Sequence, residues 1–320
     1  MFRVTHGELY GVRYTRGTDG ALVTTLRPST TPATDPTAIT GRHVELAGRG
    51  RVYVREAPGP RRAPTLVLLH GLGATAALNW GGAIPTLARH YRVLAPDHRG
   101  HGRGIRCGGR FTLADCAADA AQLIRQECGG GPVLVAGYSM GGPIAQLLAR
   151  DHPEVVAGMV LCATSRDFCG TPAERIRFLA LAPLALASRL APHLPPLVPD
   201  GLRRHTLLGQ LVAEMSGHER RALVAAAASL GTFTSREWVC DLTTPAAVVV
   251  MLQDTLVPVR RQRKLAECLD APVVELDGGH FVPHTDPAGL AAAVLEALAL
   301  LPRRSRRTRL QRRRLTAEVA

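Results

Sequence analysis

The stretch Gly137-Tyr138-Ser139-Met140-Gly141 places a serine between glycines two positions away on either side. A serine hydroxyl is a weak nucleophile until a base takes its proton, and the base must itself be oriented by an acid. Later positions offer both: Asp254, and His280 within Asp277-Gly278-Gly279-His280. Serine, aspartate, histidine is the chain order that accompanies a G-x-S-x-G turn. Asp277 is a rival acid, but it stands on the same loop as His280, three residues before it. His284 is a rival base, yet the Gly278-Gly279 pair gives its backbone freedom to the neighbourhood of His280. Asp254 and His280 are the preferred partners of Ser139.

Attack on a carbonyl creates an oxyanion, which needs two hydrogen-bond donors. The backbone N–H of Met140 is one; the backbone N–H of Leu72, in His70-Gly71-Leu72-Gly73, is the natural second. His70 reads as a packing residue that bonds to its own turn. Asp97-His98-Arg99-Gly100-His101-Gly102 reads as a loop bracing the site, since no further ligand at fixed spacing joins these groups into a metal cluster.

These groups meet only if strands deliver them to one edge of a sheet. The run 132–136 leads into the serine turn and a helical pattern at 144–150 follows it, the strand–turn–helix setting the motif requires. The continuous apolar run at 65–69 reads as a strand covered on both faces and 91–95 as a second buried strand, with further strands at 155–163, 246–252 and 272–276. Helical periods lie between them at 84–90, 113–128, 260–269 and 288–301. Alternation of this kind predicts an α/β, doubly wound, mostly parallel sheet, with ligands at the strand ends. Shorter alternating strands at 43–46 and 51–56 form a hairpin, and residues 1–27 show weak alternation that suits an extra strand pair.

The alternation breaks in residues 165–240, where helical stretches at 173–182, 202–215 and 219–230 predict a helical insertion. The expected domains are an N-terminal extension and Thr/Pro-rich linker at 1–41, a core from 42–164 and 241–301, the insertion at 165–240, and an arginine-rich tail at 302–320. Apolar side chains in the insertion, Phe178 among them, suggest an apolar pocket above Ser139. Gly71, Tyr138 and Phe178 are the expected substrate contacts.

With 320 residues, 46% of them hydrophobic, the chain has ample material for a large core, and only 4% aromatic content leaves its packing to Ala, Leu and Val. The net charge of +13 invites a nucleic-acid reading, but eight arginines from Arg303 to Arg314 supply much of it. No zinc-finger, RNP or KH signature supports specific nucleic-acid binding. The tail is suited at most to touching anionic surfaces. The seven cysteines are odd in number, scattered and free of C-x-x-C spacing, which argues against a disulfide framework or zinc site and for a reduced, cytoplasmic setting. No signal-peptide pattern and no transmembrane stretch are expected.

The five motifs together, His70-Gly71-Leu72-Gly73, Asp97 to Gly102, Gly137 to Gly142, Asp254 to Pro258 and Gly279-His280, resemble those of the α/β-hydrolase superfamily, and specifically its cap-bearing serine hydrolases. The resemblance covers residues 42–301. It implies an eight-stranded sheet with a helical cap, Ser139 as nucleophile, His280 as base, Asp254 as orienting acid, and Leu72 and Met140 as oxyanion donors. It implies no cofactor and a small-molecule ester substrate. C–C bond hydrolysis, acyl transfer and haloperoxidase-like perhydrolysis on the same fold are alternatives, as is a catalytically idle ligand-binding relative. Epoxide and haloalkane hydrolysis are disfavoured, because those relatives need a carboxylate where Ser139 stands.

Overall fold

The runs at 65–69, 91–95, 155–163 and 246–252 become middle strands of a sheet whose two faces are both covered, while 272–276 becomes a partly exposed strand at its edge. The computed structural model describes residues 13–16, 22–25, 38–108, 110–168 and 217–301. Within the unit Met1–Asp35, β1 (Arg13–Arg16) and β2 (Leu22–Thr25) pair as an antiparallel ribbon. In the unit Pro36–Ala320 the strands are β3 (Thr40–Leu46), β4 (Gly50–Ala57), β5 (Thr65–Leu69), β6 (Arg92–Pro96), β7 (Val133–Tyr138), β8 (Val156–Cys162), β9 (Ala246–Met251) and β10 (Val273–Leu276). They form one eight-stranded sheet in the order β3-β4-β6-β5-β7-β8-β9-β10. Only β4 opposes its neighbours; the remaining pairs are parallel.

Successive side chains of a strand point to opposite faces, and the two faces here have separate cores. Val67 and Leu69 of β5 and Val248 and Val250 of β9 pack on one side. They meet Ile124 of α3 (Leu113–Glu127), Ile144 and Leu148 of α4 (Gly141–Asp151), and Leu265 of the helix Val259–Leu269. Leu66 and Leu68 of β5 and Val249 and Met251 of β9 pack on the other. There they meet Trp80 of α1 (Ala76–Trp80), Ile84 and Leu87 of α2 (Ile84–Leu87), and Leu290 and Val294 of the helix Pro287–Leu300. With helices on both faces, a strand has no solvent side, so its sequence does not alternate.

β5 has β6 on one side and β7 on the other, so the winding direction changes there. The crevice outside the carboxyl ends of strands at such a reversal is where ligands bind in open α/β sheets. The loop 70–75 leaves β5 and Ser139 leaves β7 at this point.

After β8 the chain reaches Phe168, and it is described again from Gly217. The expected helices at 173–182 and 202–215 lie outside the described residues, as do Phe178 and the arginine-rich tail. The expected helix at 219–230 is α5 (Arg220–Thr232). Both flanks of this stretch are fastened together: Asp167 bridges Thr234 in antiparallel fashion, and the Ser235 N–H donates to the Arg166 carbonyl at 2.8 Å. Ser235 Oγ donates to Gln146 Oε1 of α4 at 2.6 Å. The remaining helices are α6 (Val259–Leu269), α7 (Val282–Thr285) and α8 (Pro287–Leu300). Among the described residues no helix is long and apolar enough to cross a membrane.

Candidate active site

Ser139 is held in a backbone conformation that few side chains accept. Its φ is +52°, in the left-handed region, at the junction between β7 and α4. The surroundings over-determine this conformation. The Ser139 N–H donates to the Cys162 carbonyl at 2.9 Å, and the Ser139 carbonyl accepts from the Gly142 N–H at 2.9 Å and from Thr164 Oγ1 at 2.8 Å. The flanking glycines allow the close approach. A Cβ on Gly137 would lie 2.3 Å from the Gly141 carbonyl oxygen, and one on Gly141 would lie 2.2 Å from that of Leu69. Strain of this kind, stored at a rigid junction, is a signature of functional positions.

The structure brings the three separated residues together. His280 Nε2 is 2.9 Å from Ser139 Oγ, and His280 Nδ1 is 2.8 Å from Asp254 Oδ2. An ionised carboxylate only accepts, so Nδ1 carries the imidazole proton and Nε2 turns its lone pair to the serine hydroxyl. The Asp254 side chain is fully buried. Its Oδ1 accepts from the backbone N–H groups of Leu256 and Val257 at 2.9 and 2.8 Å, and Gln262 Nε2 donates to Oδ2 at 3.3 Å. Buried charge is tolerated where its lone pairs are satisfied in this way. The rival acid Asp277 accepts from Gln253 Nε2 at 2.8 Å instead, and the rival base His284 is exposed on α7.

Gln262 was not evident from sequence. On α6 it is completely buried; its Oε1 accepts from the Met251 N–H at 3.0 Å and its Nε2 also donates to the Val257 carbonyl at 2.7 Å. One side chain thus ties the end of β9 to the turn that carries Asp254. Tyr138, an expected substrate contact, is 2% exposed, with its ring edge-on to Trp80. Its hydroxyl donates to the His280 carbonyl at 2.9 Å, so it braces the histidine loop, and burial raises its pKa.

The loop after β5 passes directly over the serine: a Cβ on Gly71 would lie 3.3 Å from Ser139 Cβ. The Gly71 N–H donates to Asn79 Oδ1 at 2.7 Å, a second contact that the sequence did not suggest. Among the described residues, neither the Leu72 nor the Met140 backbone N–H donates to a protein acceptor. Open backbone donors can stabilise an oxyanion where they face the reacting carbonyl.

Behind this loop lies a stack of buried histidines. His70 Nδ1 pairs with the Gly71 carbonyl at 2.8 Å, and its Nε2 accepts from the His98 N–H at 2.9 Å, which fixes a neutral ring. The His98 and His101 rings lie 4.2 and 5.3 Å from it. Asp97 supports the same loops, accepting from the N–H groups of Ala76 and Arg103 at 2.9 and 3.0 Å. Desolvation lowers the pKa of His70 to about 3, and those of His98 and His101 well below the usual value of 6.5. In the unfolded chain these rings protonate near pH 6.5 while the folded protein keeps them neutral. Stability is therefore expected to fall as pH drops through 6.5, and for His70 to keep falling until pH is about 3. Urea midpoints compared at pH 7.5 and 5, above the range where carboxylates protonate, should show the decline; equal midpoints would refute it.

Comparison with known proteins reaches the same fold. Residues 64–205 match the family model described as alpha/beta hydrolase fold. The chain is 30% identical over 243 residues to a putative carbamate hydrolase RutD of Serratia proteamaculans, covering 70% of this chain and 86% of that protein. It is 34% identical over 127 residues to a pimeloyl-[acyl-carrier protein] methyl ester esterase of Aeromonas hydrophila, covering 39% of this chain. The chain spans only about half the length of some of its curated relatives, 46% for this esterase and 50% for an AB hydrolase superfamily protein of Gibberella zeae. Among solved structures, an enol-lactonase from Burkholderia xenovorans superposes with a TM-score of 0.65 at 23% identity, covering 81% of this chain and all of that one (100%).

Proposed function

Because the chain belongs to the α/β-hydrolase fold family, we propose that it is a serine hydrolase that cleaves a carboxylic ester through an acyl-enzyme on Ser139. The observation that carries this reading is the unbroken series from Asp254 Oδ2 through His280 to Ser139 Oγ, with contacts of 2.8 and 2.9 Å. Ser139 Oγ attacks the ester carbonyl as His280 Nε2 takes its proton, and Asp254 stabilises the imidazolium that forms. The carbonyl oxygen, now negative, accepts from the Leu72 and Met140 N–H groups and lies toward the N-terminus of α4, whose dipole favours negative charge. His280 returns the proton to the departing alkoxide, and water then releases the acid by the same steps in reverse.

The acyl group is proposed to be small to medium and apolar. Phe281, 64% exposed and next to His280 in the chain, and Leu256, 52% exposed and two residues after Asp254, are exposed apolar side chains that support this reading. Gly71 is proposed to face the substrate and Tyr138 to act as a positioning residue.

The test is covalent. A fluorophosphonate probe should modify one serine, and peptide mapping should place the adduct on Ser139. Folded protein that takes up no probe would overturn the proposal in favour of an idle ligand-binding relative. A panel of p-nitrophenyl esters of graded chain length, a carbamate and a dienoic ketone then separates ester hydrolysis from carbamate and C–C bond hydrolysis.

Asn79 gives a subtler expectation. Asn79→Ala removes the acceptor that anchors the Gly71 N–H, so the loop bearing Leu72 loses its register over Ser139. A displacement of about 1 Å can cost up to about 100-fold in rate; here kcat for p-nitrophenyl acetate should fall on the order of 10-fold with KM little changed. A variant with unchanged kcat would show that the contact does not position the loop.

A further inference from the structure

Among the described residues, two of the free thiols, Cys240 and Cys268, stand on elements packed against each other. Cys116 and Cys162 are fully buried, and desolvation raises their pKa. Cys240 is exposed, in the 3₁₀ turn Val239–Asp241, and Cys268 is partly buried in the last turn of α6. The turn packs against α6, and the Cys268 side chain, hydrogen-bonding to Cys240, raises the Cys240 pKa. Arg166 Nη1 donates to Cys268 Sγ at 2.9 Å, and Lys264 stands one helical turn before Cys268. A guanidinium against the sulfur, with solvent within reach, is the setting in which a thiol reacts.

The place where the turn and α6 meet is a structural junction. Asp167 Oδ2 pairs with Arg236 Nε at 2.9 Å, and Asp167 Oδ1 with Arg261 Nη1 of α6 at 3.3 Å. Together with the Asp167–Thr234 bridge, this fastens both flanks of the inserted stretch to α6, the helix whose Gln262 holds the Asp254 turn.

We propose that Cys240 and Cys268 form a reversible dithiol–disulfide pair, closed by exchange with a small-molecule disulfide of the glutathione type, that staples the turn Val239–Asp241 to the end of α6. The Cys268 thiolate, with Arg166 beside it, attacks one sulfur of the small disulfide, forms a mixed disulfide and expels one thiolate. Cys240 then loses its proton to solvent and attacks the Cys268 sulfur, and the second small thiolate leaves. Two protein thiols and one small disulfide become one protein disulfide and two small thiols; the protein loses two electrons and the small disulfide gains them. Bonding at this site needs no partner from another chain and does not involve Ser139, His280 or Asp254.

The experiment uses the full chain in buffers running from reduced to oxidised glutathione. Remaining thiols are blocked with N-ethylmaleimide under denaturing conditions, and unreduced peptides are mapped by mass spectrometry. The expected result is a Cys240–Cys268 linked peptide, two hydrogens lighter than its separate halves, that grows with the oxidised fraction and is lost on treatment with dithiothreitol. Cys116 and Cys162 should be recovered as blocked thiols throughout. In Cys240→Ser, the glutathione adduct on Cys268 should persist, because nothing resolves it. Recovery of Cys240 and Cys268 as blocked thiols at every ratio, separate glutathione adducts on each, a link to Cys169, or a crosslink between two chains would each overturn the proposal.

Discussion

Ser139→Ala is expected to lower turnover of a p-nitrophenyl ester by at least about 10⁴-fold while leaving the melting temperature within a few degrees of the parent. The reasoning separates chemistry from folding. In the proposed reaction the hydroxyl contributes the bond-forming atom, and no other group at the β7–α4 junction is assigned that part. The strained backbone is held by main-chain contacts to Cys162, Gly142 and Thr164, and none of these uses Ser139 Oγ. Alanine therefore inherits the same φ near +52° at about the same cost. What remains is the acceleration available from the Leu72 and Met140 donors and from binding, which in such sites stays above the uncatalysed rate. Measuring kcat beside a thermal melt checks both halves. Retained turnover in a well-folded variant would remove Ser139 from the reaction.

Asp254→Asn should be nearly as damaging for a different reason. The amide is close in size to the carboxylate, and the Leu256 and Val257 N–H groups can still donate to its oxygen. That leaves the amide nitrogen facing His280 Nδ1, where a donor meets a donor unless the imidazole shifts its proton to Nε2. The nitrogen facing Ser139 would then carry a hydrogen and could no longer take one. A loss of about 10⁴-fold in kcat, with KM within a few-fold, is the expected size for this tautomer error. Asp277→Asn is the matching control. Asp277 occupies the same loop as His280 but accepts from Gln253, so its variant should retain activity within about 2-fold. If the two variants were equally impaired, the acid would not be Asp254 alone.

These expectations rest on residues whose arrangement was legible to different degrees before folding. The elbow was readable because its requirements are covalently adjacent: a buried strand, two glycines around a serine, then a helix. Thr65–Leu69 and Ala246–Met251 were readable because burial on both faces leaves an unbroken apolar run. Element ends moved by a residue or so where caps decide them, as at Pro287–Leu300, which begins after Asp286 accepts from the Gly289 N–H at 2.8 Å. The helix expected at 84–90 is shorter, Ile84–Leu87, and Ala76–Trp80 before it was not foreseen. Five residues are too few to show a helical period; this helix starts where Thr75 Oγ1 accepts from the Leu78 N–H at 3.2 Å.

The supporting polar residues were harder to read. Asn79, Gln262 and Thr164 belong to no motif, Gln262 standing among the charged Arg260, Arg261, Arg263 and Lys264, and each acts on a loop that only the folded sheet brings near. Asp254 and Asp277 could be ranked from strand position, yet their distinct partners, His280 and Gln253, exist only in three dimensions.

The bridge between Asp167 and Thr234 has a consequence for chain length. It fixes the points at which the intervening chain departs and rejoins, whatever that chain contains. Across anchored ends, each doubling of a flexible segment's length adds only about 0.6 kcal/mol. A change in the length of the chain between these anchors therefore costs the fold little.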